Sequence, residues 1–439
     1  MPRSSLDDRR FTVVEIAGPS AAALVLDAHL KSSLATIRSL GRRGVRVIAG
    51  SHRPAAMGLH SRYVSERFLY PSPLDDRDAF VRCVLEEAGR AGNPVLFAFS
   101  DSTLVPLVNV AHHDVPWSWL LPSSLDCFEV ASDKASTLEL ARALGIDVPA
   151  TYSKTTGDGL PAFMKDHGLP LVVKPSRSVF WNRENGNRGI QISSSFATSP
   201  EDLLLKCDAA LRQTGKFPLV QEYVSGEEAS VQFLCDRGAV LVASSNRRLR
   251  SVSPLGGPGA LKETIPLSYH GLAELGRRLA VALKWSGPMM VEFKIDRQSG
   301  VPKLMEINGR FWGSLPLAVF AGVDFPYLYY RLAQGLEVER CKGYYAGVVS
   351  RHFMGDLHHL CFALFKRDPM RALAYPKRRQ AILDFLRLPR GCKSDVLDHR
   401  DVMPAFAEVI DTAARIYRRS FKPSPELPTQ CLLSGNRHE

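Results

Sequence analysis

Val291-Glu292-Phe293-Lys294-Ile295-Asp296-Arg297-Gln298-Ser299-Gly300-Val301-Pro302-Lys303-Leu304-Met305-Glu306-Ile307-Asn308-Gly309-Arg310 is the stretch that decides how this chain is read. Two apolar-rich runs, residues 290–295 and 302–307, flank Gln298-Ser299-Gly300 and predict a β-hairpin. The hairpin puts Glu292 on one strand and Glu306 near the end of its partner. Glu306 and Asn308 are two apart and share a face. Two carboxylates and an amide oxygen make an oxygen-only site. That chemistry suits Mg²⁺, which takes few protein ligands and completes its shell with water and phosphate oxygens. Arg310, two residues further, carries a planar fork for a phosphate or carboxylate. A lone glutamate would read as a solvated charge, but both of these follow apolar residues, Val291 and Met305.

Outward from this hairpin, the chain alternates short apolar runs with helical patterns. Residues 23–27, 32–44 and 45–49 read as strand, helix and strand, a parallel β-α-β unit. A third run, Val95-Leu96-Phe97-Ala98-Phe99, ends in Ser100-Asp101. No G-x-G-x-x-G follows the first strand, so dinucleotide binding has no support there. Asp133 caps a predicted helix that runs to Leu144 and stops at Gly145. Further strands are expected at 171–174, 189–192 and 219–224. An antiparallel pair at 229–234 and 239–245 turns at Asp236-Arg237-Gly238. Helices are expected near 201–212 and 272–283. Beyond about residue 345 strands fade and basic, helix-like stretches take over.

In this order the motifs resemble the ATP-grasp superfamily, particularly its carbamoyl-phosphate synthase large-chain-like and amino-acid ligase-like branches. The resemblance rests on Glu292 followed in the next strand by Glu306-Ile307-Asn308-Gly309-Arg310, and it covers roughly residues 20–335. It implies an α/β protein. An N-terminal doubly wound α/β domain (1–125) precedes a two-lobed ATP-grasp domain (126–340, α+β) and a mainly helical basic C-terminal region (341–439). It implies ATP with Mg²⁺ or Mn²⁺ as cofactors, with Glu292, Glu306 and Asn308 as metal ligands. Lys134 and Lys174 would hold the phosphates. Glu222, Tyr223 and Val224 would receive the adenine, and Glu228 the ribose hydroxyls. Arg310, with Arg248 and Arg250 in Asn246-Arg247-Arg248-Leu249-Arg250, would serve the reacting carboxylate or acyl phosphate. Strand alternation would place Arg248 and Arg250 on one face.

The implied activity is a carbon–nitrogen bond-forming ligase that activates a carboxylate as an acyl phosphate and passes it to an amine. A biotin-carboxylase-like or purine-pathway-like enzyme is the alternative within this fold, and a non-catalytic nucleotide-binding regulator the alternative outside catalysis. The loop at 176–188 departs from the glycine-rich pattern of the family. It holds only Gly186 before Gly189 and carries Phe180, Trp181, Arg177, Arg183 and Arg188. Its phosphate contacts stay open, and it could close over the site as a lid.

The 439 residues carry 56 Lys+Arg against 45 Asp+Glu, a net +11 that favours anionic ligands without choosing among them. Eight cysteines form no C-x-x-C pair, which fits a reduced setting with free thiols. With no secretory signal and no run long enough to span a bilayer, a cytoplasmic protein is expected. The expected partners are small-molecule carboxylate and amine substrates, with no nucleic acid and with room for a homodimer. The basic stretch near 366–379 reads as the solvated face of a packed domain rather than a membrane-surface element. His112-His113 and His358-His359 read as structure or surface.

Overall fold

The structure, a computed structural model, describes residues 21–114, 124–182, 188–338 and 343–421. Arg183, Gly186 and the proline-rich end at Pro423, Pro425 and Pro428 lie outside the described residues.

The described residues open with four parallel strands, β1 (Ala23–Val25), β2 (Val47–Ser51), β3 (Glu66–Leu69) and β4 (Val95–Phe97), in the order β3-β2-β1-β4. Strands β1, β2 and β4 are buried along their whole length, as a parallel sheet covered on both faces requires. Helices α1 (Lys31–Gly41), α2 (Arg77–Arg90) and α3 (Asp101–Asp114) connect or follow these strands. The strand order reverses between β1 and β4, so the crevice beyond their carboxyl ends is a topological switch point. Asp101 stands there, at the start of α3.

Helices α4 (Leu125–Ser132) and α5 (Lys134–Ala143) follow. As the sequence predicts, Asp133 caps α5: its carboxylate accepts from the Ser136 N–H at 3.1 Å. A small antiparallel sheet comes next, built from β5 (Thr151–Tyr152), β6 (Leu171–Lys174), β9 (Ser195–Ala197) and β10 (Leu219–Glu222) in the order β5-β10-β6-β9. It has its own core of Leu171, Val173, Val220, Leu203 and Cys207. Helices α6 (Leu160–His167) and α7 (Pro200–Thr214) belong to it. Ser199, Pro200 and left-handed Gly215 start and stop α7 in the expected way. Between β6 and β9 a hairpin of β7 (Val179–Asn182) and β8 (Arg188–Gln191) projects from the loop at 176–188. It rests on the first sheet's loops, where the Gly189 N–H donates to the Leu74 carbonyl at 2.8 Å.

The large sheet runs β15-β14-β11-β12-β13-β16-β17. Its strands are β11 (Gly226–Asp236), β12 (Ala239–Ser253), β13 (Gly256–Thr264), β14 (Gly287–Asp296), β15 (Pro302–Asn308), β16 (Val349–Arg351) and β17 (Lys393–Ser394). All pairs are antiparallel except β16 with β17. Helix α8 (Leu272–Ala282) packs on one face; α9 (Leu315–Phe320) and α10 (Phe325–Ala333) join it to the first sheet. The strands do not stop near 345 as expected. Among its described residues the C-terminal region adds two to this sheet and four helices: α11 (Phe353–Phe365), α12 (Arg371–Ala374), α13 (Arg378–Leu386) and α14 (Met403–Phe421).

Ion pairs, buried except for Arg42 with Asp398, hold that region in place. Asp395, Asp401 and Asp398, each three apart, meet Lys31, Arg38 and Arg42 on α1. Asp395 also accepts from Lys262 of β13 at 2.5 Å. Asp356 on α11 takes both Arg250 and Arg351. Among the described residues no helix is long and apolar enough to cross a membrane.

Candidate active site

The small and large sheets face each other across a cleft of about 990 Å³. Lys134, Lys174, Glu222, Tyr223, Val224, Glu228, Arg248, Glu292, Glu306, Asn308 and Arg310 all line it. They come from α5, both sheets and the loops beside them, so only the tertiary fold gathers them.

The 290–310 segment forms the hairpin that its alternation predicts. Glu292 stands directly opposite Glu306, with a bulge just after the pair, and Met290 opposite Asn308. Like charges facing each other across a ladder repel, so this arrangement needs cations around it. The structure supplies them. The Lys134 ammonium is 3.8 Å from Glu306. Arg248 bridges Glu292 to Glu228, with 2.7 Å to Glu228. The Asn308 side-chain NH₂ donates to Glu292 at 3.1 Å and to Glu306 at 3.4 Å.

These surroundings drive the two carboxyls apart. Burial raises the Glu292 pKa, opposed by Arg248 and reinforced by Glu306 and Glu228. Burial also works against ionisation of Glu306, but Lys134, Lys174 and Arg310 outweigh it and hold that carboxyl below its ordinary range. Lys174, at the end of β6, is buried, and its amine is pushed down to about 8 by burial against the pull of Glu306, with Lys134 adding repulsion.

Arg310 arrives by a packed route. A Cβ on Gly309 would lie 2.6 Å from the Trp285 ring, so the backbone between Asn308 and Arg310 has to pass close beneath it. Phe311 then stacks on Phe97 and Phe99 at the carboxyl end of β4. The Arg310 guanidinium donates to Asp101 at 2.7 Å, so the switch point of the first sheet meets the end of β15. A second cavity of about 310 Å³ opens on this side and shares Lys134, Glu306, Asn308 and Arg310 with the main cleft.

Arg250 is the exception among the expected site residues. It does not line the cleft; it makes two hydrogen bonds to Asp356, at 2.7 and 2.9 Å. Between Arg248 and Ser253 the β12–β13 ladder is broken by three register shifts, which end the simple alternation that put Arg248 and Arg250 on one face. Glu222 and Val224 reach the cleft with their polar groups already engaged. The Glu222 carboxylate accepts from Lys303 at 2.5 Å and from the Ala150 N–H at 3.1 Å, and Lys294 donates to the Val224 carbonyl at 3.3 Å. Glu228 joins the acid cluster through Arg248 and through Lys294 at 3.6 Å.

Four further charged residues matter here. Lys294 lines the cleft and shares the parity of Glu292, a signal present in the sequence. Asp101 sits at a predicted strand end, where α/β proteins place ligand groups. Lys262, in the Lys262-Glu263-Thr264 stretch that the family resemblance puts on the substrate side, lines the cleft, whereas Lys303 had no local signal. His359 is structural, as expected: its Nδ1 lies 2.7 Å from the Ser251 carbonyl oxygen. The side chains of His112 and His113 lie outside what the structure describes.

A metal fits the donor set. Among the described residues no three His, Cys, Asp or Glu could hold an ion by themselves. Glu292 and Glu306 nevertheless supply the hard oxygens that Mg²⁺ prefers, and a turn of the Asn308 amide, whose NH₂ faces both carboxylates, would add a third.

Residues 216–350 match the family described as "ATP-grasp in the biosynthetic pathway with Ter operon". The chain is similar to the carbamoyl phosphate synthase large chain of Thermomicrobium roseum, 24% identical over 299 residues that cover 65% of this chain. It spans only 26% of that relative's length. In fold it is similar to the biotin carboxylase domain of Hydrogenobacter thermophilus 2-oxoglutarate carboxylase, solved with MgADP, ADP and bicarbonate. That match has a TM-score of 0.57 and 15% identity, over 74% of this chain and 71% of that one. It is also similar to the L-amino acid ligase of Bacillus licheniformis, with a TM-score of 0.51 and 17% identity over 72% and 75% of the two chains.

Proposed function

We propose that the chain is an ATP- and Mg²⁺-dependent carboxylate–amine ligase. The observation that carries this reading is the opposed pair Glu292 and Glu306, joined by Asn308, in a cleft that also holds Lys134, Lys174 and Arg310. A cleft of about 990 Å³ is at the upper end of the range for small-molecule sites and has room for a nucleotide with a second substrate.

In this reading Lys134 and Lys174 face the polyphosphate as compact charges. Val172, Tyr223, Val224 and Met290 wall the other part of the cleft and receive the base. Glu292, Glu306 and Asn308 hold Mg²⁺, which when bound neutralises phosphate charge and helps position the transferred group. Arg310 and Arg248 orient the substrate carboxylate. The carboxylate oxygen attacks the γ-phosphorus and ADP leaves, giving an acyl phosphate. The amine nitrogen then attacks the acyl carbon, loses a proton and displaces inorganic phosphate. Acyl phosphates hydrolyse, so the cleft must exclude water; the β7–β8 hairpin stands beside it to do so.

The test is phosphate release with ATP and Mg²⁺ against a matrix of carboxylic acids, bicarbonate included, and amines. Glu306→Gln serves as the blank. Release that needs one acid and one amine together supports the ligase. Release that needs bicarbonate indicates carboxylation. Release equal in wild type and blank would remove the metal assignment.

A further inference from the structure

Helix α14 sits on the protein the reverse way round for an amphipathic surface helix. Its small and polar side faces inward: Pro404, Ala407 and Thr412 are buried, Glu408 meets His352 at 2.5 Å, and Asp411 meets Arg53 at 3.4 Å and Arg415 at 3.1 Å. Its apolar side faces out. Met403 is 55% exposed, Phe406 63%, Val409 53% and Ile410 61%, with Val402 and Leu397 exposed just before them. An ordinary surface helix turns such a stripe to the core, and a contiguous exposed apolar patch marks an interaction surface.

The charges around the stripe select its partner. Both acids of the helix are tied up on the inward side, so no acid among the described side chains of α14 faces out. Cations stand at the two ends: Arg62, His399 and Arg400 are exposed near its start, and Arg415 is exposed toward its end. The Arg62 guanidinium donates to the Arg400 carbonyl, which keeps the first group together. A second copy packed on this stripe about a twofold axis would set cation against cation at both ends, whether the helices ran parallel or antiparallel. An anionic bilayer surface has no such conflict. It takes the apolar stripe into the acyl boundary and the flanking arginines at its headgroups.

We propose that α14 is a membrane-surface contact, through which the outward stripe at 402–410 and its flanking arginines bind the face of a bilayer rich in anionic phospholipid. The helix lies in the interface rather than across it. The contact is remote in sequence from every residue placed in the cleft. It revises the expectation of a merely solvated C-terminal face, and it puts the contact on α14 rather than near 366–379.

Flotation of the full-length protein with phosphatidylcholine vesicles, with and without phosphatidylglycerol, tests this. Wild type is expected to float with the anionic vesicles, less at high salt, and to stay behind with the neutral ones. Phe406→Glu with Ile410→Glu should weaken flotation at least about tenfold with an unchanged circular dichroism spectrum, whereas Phe406→Leu should retain it. Absence of wild-type flotation at low salt, or equal flotation with neutral vesicles, would overturn the proposal. A dimer in light scattering that the double variant splits, without vesicle binding, would assign the stripe to a second copy instead. Binding gained only after removal of residues 1–20 or 422–439 would assign it to the chain's own ends.

Discussion

Lys174 offers a prediction that can be worked through in numbers. Its amine is held at about 8 in the free protein, against an ordinary 10.5, chiefly because it is buried beneath the cleft with Lys134 nearby. Below that value it is charged, and it loses the charge as pH rises through it. A bound polyphosphate restores a partner and returns the pKa to at least its ordinary value. At about pH 9 the free amine is then ~90% neutral and the bound one ~97% charged, so nucleotide binding takes up ~0.9 proton. At about pH 7 the uptake falls to ~0.1 proton, and the affinity should drop ~10-fold, ~1.4 kcal/mol, between pH 7 and 9. Calorimetry of a non-hydrolysable ATP analogue with Mg²⁺, in buffers of different ionisation enthalpy, reads the proton count directly. In Lys174→Met the uptake should vanish and the affinity should become flat over this range. In Lys174→Arg the affinity should survive at pH 9. Wild type binding the analogue at pH 9 without proton uptake, or Lys174→Met keeping it, would refute the reasoning.

Other perturbations separate structural from functional charges. Asp395→Asn leaves Lys31 and Lys262 without their shared buried counter-charge and should cost about 3–5 kcal/mol in denaturant unfolding. Arg250→Met should lower stability by about 2–3 kcal/mol, because Asp356 then keeps only Arg351. In the phosphate-release assay it should leave KM for the acid within about threefold, whereas Arg248→Met should raise KM or lower kcat at least about tenfold. Gly226→Ala would place a Cβ 1.8 Å from the Ile295 carbonyl oxygen, so the β11–β14 ladder must shift. That substitution should lower the melting temperature by several degrees, about 2 kcal/mol or more.

The hairpin at 290–308 was legible because its signal is local. Alternation, the Gln298-Ser299-Gly300 turn and the two-residue spacing of Glu306 and Asn308 all act within twenty residues. Arg250 was misplaced for an equally local reason that strand parity does not reveal. The register shifts after Arg248 arise from pairing with β13, which starts in Gly256-Gly257-Pro258-Gly259. Strand β13 itself was missed, since its glycine- and proline-rich start lacks the alternation of a strand. The pairs that complete the site and hold the C-terminal region join distant residues: Asp101 with Arg310, Lys262 with Asp395, Arg250 with Asp356. Each is set by how sheets and helices pack, and no periodicity encodes it. The same holds for α14. Its amphipathic pattern is plain, but which side faces out depends on where Glu408 and Asp411 find His352 and Arg53.

The most direct test of the central claim is the paramagnetic resonance of Mn²⁺ titrated into the protein with a non-hydrolysable ATP analogue. Wild type should give a bound, broadened Mn²⁺–nucleotide signal, and Glu306→Gln should weaken that binding at least about tenfold. Equal binding in the two proteins would contradict the assignment of Glu292, Glu306 and Asn308 as the seat of the metal.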